Sequence, residues 1–153
     1  MNEKNTKYLF KKYPKLFPTK ERKNLQVSLM GFGFMCNDGW FDLINALSRH
    51  IQDHVDYKNK TNKEKGIKEV FQPTVQEVKE KFGGLRYYIS PGDDVIFGLT
   101  WFSEELSFHI CENCGNKGKQ RVVMGWCYTL CDDCFKKKKE EKDKQFGKRA
   151  KNK

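Results

Sequence analysis

Long apolar runs are missing from this 153-residue chain. No stretch approaches the ~18–20 consecutive apolar residues that a membrane-spanning helix needs, so a membrane partner is not expected. Met1-Asn2-Glu3-Lys4-Asn5 leads into no apolar segment of the kind that signals export, which predicts a cytoplasmic protein. Catalytic signatures are missing too. There is no phosphate loop ending in Gly-Lys-Ser/Thr, no dinucleotide fingerprint, no Gly-x-Ser-x-Gly and no His-Glu-x-x-His. The expectation is a protein that binds rather than one that catalyses.

Aromatic residues are plentiful by contrast. They make up 14% of the chain, enough to build a core although 33% of residues are charged. The length suits one domain. The formal net charge is +10, and it is unevenly placed. Residues 135–153 hold nine Lys and one Arg against Glu140, Glu141 and Asp143, a net +7, so everything before them carries only +3. The basic element is the C-terminal tail.

Several elements can be read from spacing. Asn2 to Tyr13 can form a short helix bounded by Pro14 and Pro18. Leu25 to Met35 reads as an extended segment interrupted by Gly31 and Gly33. Asn37-Asp38-Gly39 is turn chemistry, and either polar residue could cap the next helix. That helix spans Trp40 to about Asp56, with Trp40, Leu43, Ile44, Leu47, Ile51 and Val55 at i, i+3, i+4, i+7 spacing. Lys58 to Glu69 reads as an exposed loop. Around Phe82-Gly83-Gly84-Leu85, two alternating runs separated by Gly-Gly predict a β-hairpin over Pro73 to Ser90. A helix ending at Gly83 is the competing reading, because Val75, Val78 and Phe82 also fit helical spacing. Asp93 or Asp94 then caps a second amphipathic helix, with Val95, Ile96, Leu99, Phe102 and Leu106 inward and Glu104 and Glu105 outward.

The cysteines carry the most specific signal. Cys111-x-x-Cys114 and Cys131-x-x-Cys134 are two C-x₂-C pairs sixteen residues apart. Each such turn can aim two sulfurs at one point, and two turns complete a tetrahedral shell for one structural Zn²⁺. In a reducing compartment metal binding is favoured over disulfides. Between the pairs, Arg121–Met124 and Trp126–Leu130 predict short strands around Gly125. Cys127 and Cys36 read as buried thiols.

Three blocks together resemble a family of small uncharacterised bacteriophage and prophage proteins with a C-terminal four-cysteine ribbon. They are Cys36-Asn37-Asp38-Gly39-Trp40-Phe41, the run Val78-Lys79-Glu80-Lys81-Phe82-Gly83-Gly84-Leu85-Arg86-Tyr87-Tyr88, and Ile110-Cys111-Glu112-Asn113-Cys114-Gly115 closed by Thr129-Leu130-Cys131-Asp132. The Lys-Glu-Lys-Phe-Gly-Gly-Leu-Arg string is the most distinctive. The resemblance implies a phage or prophage setting, hence host-cell cytoplasm, and carries no activity with it.

The expected class is α+β. Two amphipathic helices and a β-hairpin form a small body over residues 1–108, a zinc ribbon spans 109–134, and 135–153 form a basic, mobile tail able to extend as a polar helix. In the hairpin, Lys79, Lys81, Arg86 and Tyr88 share one face, opposite Phe82, Leu85, Tyr87 and Ile89. Basic side chains beside an aromatic suit phosphates and stacked bases, and Lys136, Lys137, Lys138 and Lys139 could serve as an electrostatic arm. The alternative for both is a solvated, solubilising surface. His50 and His54 are four apart, but His54 falls inside the apolar stripe and His50 on its edge, where histidines are ordinary. These features point to nucleic acid or a nucleoprotein assembly as the partner class; the phage or prophage setting that the resemblance implies gives the alternative, a counter-defence protein that binds a host protein or a nucleotide signal.

Overall fold

The apolar stripe that begins at Trp40 becomes a helix and carries the core. In the computed structural model, which describes residues 1–151 and the side chains as far as Gln145, helix α3 runs Phe41–Glu64 and buries Ile44, Leu47, Ile51 and Val55. Helix α1, Glu3–Lys12, is capped by Asn2, whose side chain accepts from the Asn5 amide at 2.8 Å. The single-turn helix α2, Thr19–Arg22, follows Pro18. Among the described residues no helix is long and apolar enough to cross a membrane.

Two expectations change here. Helix α3 continues two turns past Asp56 into the segment read as a loop. Nothing between Tyr57 and Glu64 breaks a helix, and the added turns gain tertiary partners: Asn59 accepts from the Val70 amide and Asn62 donates to the Lys68 carbonyl. The chain turns only at Gly66, where φ is +68°. Residues Leu25 to Met35 are not an extended strand. They coil through a 3₁₀ turn, Leu29–Phe32, capped by Ser28, and place only Met30 and Phe34 in the core. Gly33 adopts φ +78°, and a side chain at Gly31 would collide with the Arg22 carbonyl at 2.5 Å, so both glycines bend the segment.

The hairpin forms as expected, from strands β1, Thr74–Lys81, and β2, Gly84–Ser90. Pairs such as Val78↔Tyr87 and Lys79↔Arg86 set the register, with one irregularity between Val75 and Glu77. The turn is shifted by one residue: Phe82 and Gly83 occupy it, at φ +55° and +80°, and Gly84 begins β2. Phe82 was expected on the inner face and instead projects from the turn, 67% exposed. Both edges of this small sheet are covered. Met35 bridges to Lys79 along β1, while the Leu85 amide of β2 donates to Ser107 Oγ.

Ser107 belongs to helix α4, Asp94–Ser107, which Asp93 caps through the Ile96 amide. The helix buries Ile96, Ser103 and Ser107 and leaves Val95, Trp101 and Phe102 exposed. Val95 and Phe102, whose spacing predicts an inward position, thus face outward. The small serines let α4 lie close against β2, and that approach turns the larger residues outward.

The C-terminal part is a second hairpin, β3 (Lys119–Val123) and β4 (Trp126–Leu130), turning at Met124 and Gly125 with φ +49° and +81°. Helix α5, Asp132–Lys151, starts immediately after Cys131 and carries the basic run; residues 152 and 153 of the tail lie outside the described residues. The whole is an α+β fold.

Candidate metal centre

The first cysteine pair lies in the turn between α4 and β3, and the second spans the end of β4 and the start of α5. At the first knuckle the Cys111 amide donates to the Asn116 carbonyl at 2.7 Å and the Gly115 amide donates back to the Cys111 carbonyl at 2.8 Å. Gly115 takes φ +78° to close this turn. At the second, the Cys134 amide donates to Cys131 Sγ at 3.4 Å, and the first turn of α5 supplies Cys134 itself.

The four sulfurs of Cys111, Cys114, Cys131 and Cys134 lie within 4.8 Å of one another, with Cys114 and Cys131 3.7 Å apart. A tetrahedral ion with metal–sulfur bonds near 2.3 Å needs sulfur–sulfur edges of about 3.8 Å. The arrangement is thus suited to a tetrahedral metal ion, and four protein ligands leave no coordination position for a substrate. The amide of Cys134 pulls the Cys131 thiol down to about 7, whereas burial, with the neighbouring thiols, pushes Cys134 up. Four thiols this close cannot all ionise without a compensating cation, which a divalent metal provides. Among the described residues no other group of three or more His, Cys, Asp or Glu side chains is arranged to hold a metal.

Cys127 stays outside the cluster, on the β4 face that pairs with Val122. Cys36 is buried, and burial pushes its thiol up to about 12. The two helix histidines have separate partners: His54 Nε2 meets Asp93 Oδ2 at 2.8 Å, which Lys58 also contacts at 2.9 Å, and His50 lies 3.3 Å from Arg49. His109, at the approach to the first knuckle, is exposed and 3.8 Å from Glu105.

What the sequence did not reveal is how the knuckles are seated. Neither Asn37 nor Asp38 caps α3. Asp38 accepts from the Asn2 amide and from both Asn2 and Asn5 side chains, fastening α1. The Asn37 amide donates to the Glu112 carboxylate at 2.9 Å, and its side chain donates to Asn113 at 2.8 Å. Trp40, fully buried, donates its indole N–H to the Ile110 carbonyl at 2.9 Å. The Gly39 amide bonds to the Glu112 carbonyl at 2.7 Å. A side chain at Gly39 would come within 2.5 Å of that carbonyl and closer still to that of Cys111. Glu112 is buried between the two C-x₂-C cysteines, and desolvation raises its pKa against the Asn37 amide that lowers it. The first hairpin supplies a second seat. Thr129 Oγ1 donates to the Gly83 carbonyl at 2.6 Å, and a side chain at Gly84 would strike the Phe108 ring at 2.5 Å. The Asn-Asp-Gly-Trp and Phe-Gly-Gly strings are therefore docking surfaces for the ribbon.

The basic candidates divide into two groups. Lys79, Lys81, Arg86 and Tyr88 do share the outer hairpin face, with Lys79 5.6 Å from the Tyr88 ring. Two of their charges are already matched: Lys79 pairs with Glu77 at 2.8 Å and Arg86 with Glu104 at 2.6 Å, so Glu104 is not merely solvated. Lys81 is exposed and lies 5.5 Å from the Phe82 ring. Lys136, Lys137, Lys138 and Lys139 lie on the first turns of α5. Lys138 sits 5.1 Å over Tyr128 of β4, and Arg121 of β3 stacks 4.4 Å from Phe135, so the start of α5 is tied to the ribbon. Comparison of the chain with protein-family models, curated proteins and solved structures returned no match in any of the three.

Proposed function

We propose that the four cysteines hold one structural Zn²⁺, and that the ribbon it closes works with helix α5 as a non-enzymatic module binding nucleic acid or a nucleoprotein assembly. The observation that carries this reading is the continuity between metal site and basic helix. Cys134 is both a ligand and a residue of the first turn of α5, so the ion fixes the origin of a helix whose next residues after Phe135 are Lys136, Lys137, Lys138 and Lys139. Phosphate contacts by such lysines release counterions, which makes binding steeply salt-dependent. The resemblance to phage and prophage proteins gives the setting we propose, the cytoplasm of an infected or lysogenic cell.

The test is binding of labelled DNA and RNA across a salt series, with the full chain and with a chain ending at Cys134. Affinity that falls with salt and falls further on removal of residues 135–153 supports the reading. Absence of binding to either nucleic acid at low salt rejects it. A second reading, a counter-defence protein that binds a host protein, draws on a different feature: the outward aromatic face of α4, where Trp101 is 72% exposed beside Phe102 and Val95. A partner captured equally by the truncated chain, and retained after nuclease treatment, supports that reading instead.

A further inference from the structure

The tip of the first hairpin rests against β4 of the second, and both turns are built in the same unusual way. Each places a bulky residue with positive φ ahead of a glycine: Phe82-Gly83 at +55° and +80°, Met124-Gly125 at +49° and +81°. Asparagine, aspartate or glycine would fill the first of these positions with less strain. A phenylalanine held there and left 67% exposed contributes no core packing to offset the strain. Opposite it stands Trp126, the first residue of β4, 68% exposed. Between them lies a groove of about 420 Å³ walled by Glu80, Lys81, Phe82, Gly125, Trp126 and Cys127.

The groove is anchored from below. Thr129 Oγ1 bonds to the Gly83 carbonyl, and Gln120 Nε2 reaches the Phe82 carbonyl at 3.5 Å, which holds the Phe82–Gly83 turn against the strands of the second hairpin. The one carboxylate in the wall is engaged, since Glu80 Oε1 accepts from the Gly83 amide at 2.6 Å. The cations are placed against the aromatic residues, Lys81 at 5.5 Å from Phe82 and Lys138 at 5.1 Å from Tyr128, two residues along β4 from Trp126. Two exposed rings with Lys81 in the wall beside them complement a planar π-face joined to a negative backbone.

We propose that this groove seats an unpaired base of a single-stranded nucleic acid, stacked on Trp126 and Phe82, with Lys81 facing the adjoining phosphate. This deepens the nucleic-acid reading above and rests on it. Bases inside a duplex have both faces covered by their neighbours and cannot offer one to a hairpin tip, so the groove selects single strands, while the lysines of α5 add affinity for either form.

Tryptophan emission tests the assignment directly. Trp40 is buried, so a Trp101→Phe background leaves Trp126 as the exposed reporter. Oligothymidylate or oligouridylate of about a dozen nucleotides is expected to quench that emission, and a duplex of equal length is not. Trp126→Ala should weaken oligothymidylate binding by roughly five- to 150-fold, and Phe82→Ala by the lower part of that range. Trp126→Phe should restore most of the loss, and duplex affinity should change little in all three. Both side chains are mostly solvent-exposed, so the replacements leave the core intact. Single-strand affinity unchanged in Trp126→Ala and Phe82→Ala overturns the groove assignment and leaves the cleft to an apolar peptide, without touching the role of α5. Loss of all nucleic-acid binding by the unmodified chain overturns the underlying reading and this one together.

Discussion

The body and the ribbon of this protein are held together by different physics. Around α3, side chains such as Trp40, Ile44, Leu47, Ile51 and Val55 are almost wholly removed from water and pack with Val75, Val78, Leu85 and Tyr87 from the hairpin. Between His109 and Cys134 the only buried side chains are Cys111, Glu112, Val123, Thr129 and Leu130. So few apolar groups cannot offset the conformational entropy of ordering the segment. Four thiols converging on one point replace the missing core, and hydrogen bonds from the Asn37–Trp40 turn fasten the result to the body. A short segment can hold a shape without a core when metal binding supplies free energy and a neighbour supplies the seat.

Perturbing each region by its own means separates them. The largest effect is expected on the metal side: Cys111→Ser should abolish zinc binding, seen as loss of the single bound ion in native mass spectrometry, while Cys127→Ser retains it. Structural zinc in small domains contributes about 10–16 kcal/mol. Amide exchange should therefore lose protection throughout β3 and β4 but stay slow in the centre of α3. Equal loss in both regions would show that the body has no stability of its own. On the core side, Ile51→Ala should lower the unfolding free energy by about 2–5 kcal/mol in denaturant titration, with zinc content unchanged.

Smaller effects probe the joint between the regions. Gly39→Ala places a methyl group against the Cys111 and Glu112 carbonyls and should cost about 1–3 kcal/mol, with α3 still formed by circular dichroism. Failure to destabilise would mean the knuckle can move aside freely. The smallest effect lies at Asp93, which caps α4 and meets His54 and Lys58 from α3. Those donors hold its carboxyl below the usual range although partial burial works the other way. A depressed pKa contributes stability that is present above the unfolded value near 3.9 and is lost as pH falls below it. Asp93→Asn keeps a capping oxygen, so its deficit, a fraction of the ~1 kcal/mol of a cap, should be visible at pH 7 and shrink below about pH 4. A deficit independent of pH would assign the effect to packing.

Local readings succeeded where one short segment contained its whole cause. The stripe from Leu43 to Val55, the alternation around Lys79 and Arg86, and the cysteine pairs each needed only neighbours in sequence. Readings failed where a distant element decided. Val95 and Phe102 fit an inward stripe, but the serines of α4 face β2. Leu25 to Met35 alternates like a strand, yet Gly31 must accommodate the Arg22 carbonyl. Helix α3 outran its apolar stripe because Asn59 and Asn62 found partners near Val70. For the site, the two cysteine pairs were legible and their surroundings were not: nothing local to Gly39 or Gly83 says that the ribbon rests on them.

By itself the sequence determined the periodicities, the presence of a glycine turn in each hairpin and the two C-x₂-C pairs, because each depends on bonds and contacts a few residues long. Tertiary structure alone decided that the Asn-Asp-Gly-Trp and Phe-Gly-Gly strings serve the ribbon, that Arg86 spends its charge on Glu104, and that Phe82 and Trp126 face one groove. Those outcomes depend on close approach between segments tens of residues apart, where a missing side chain or a single carbonyl sets which surfaces can meet.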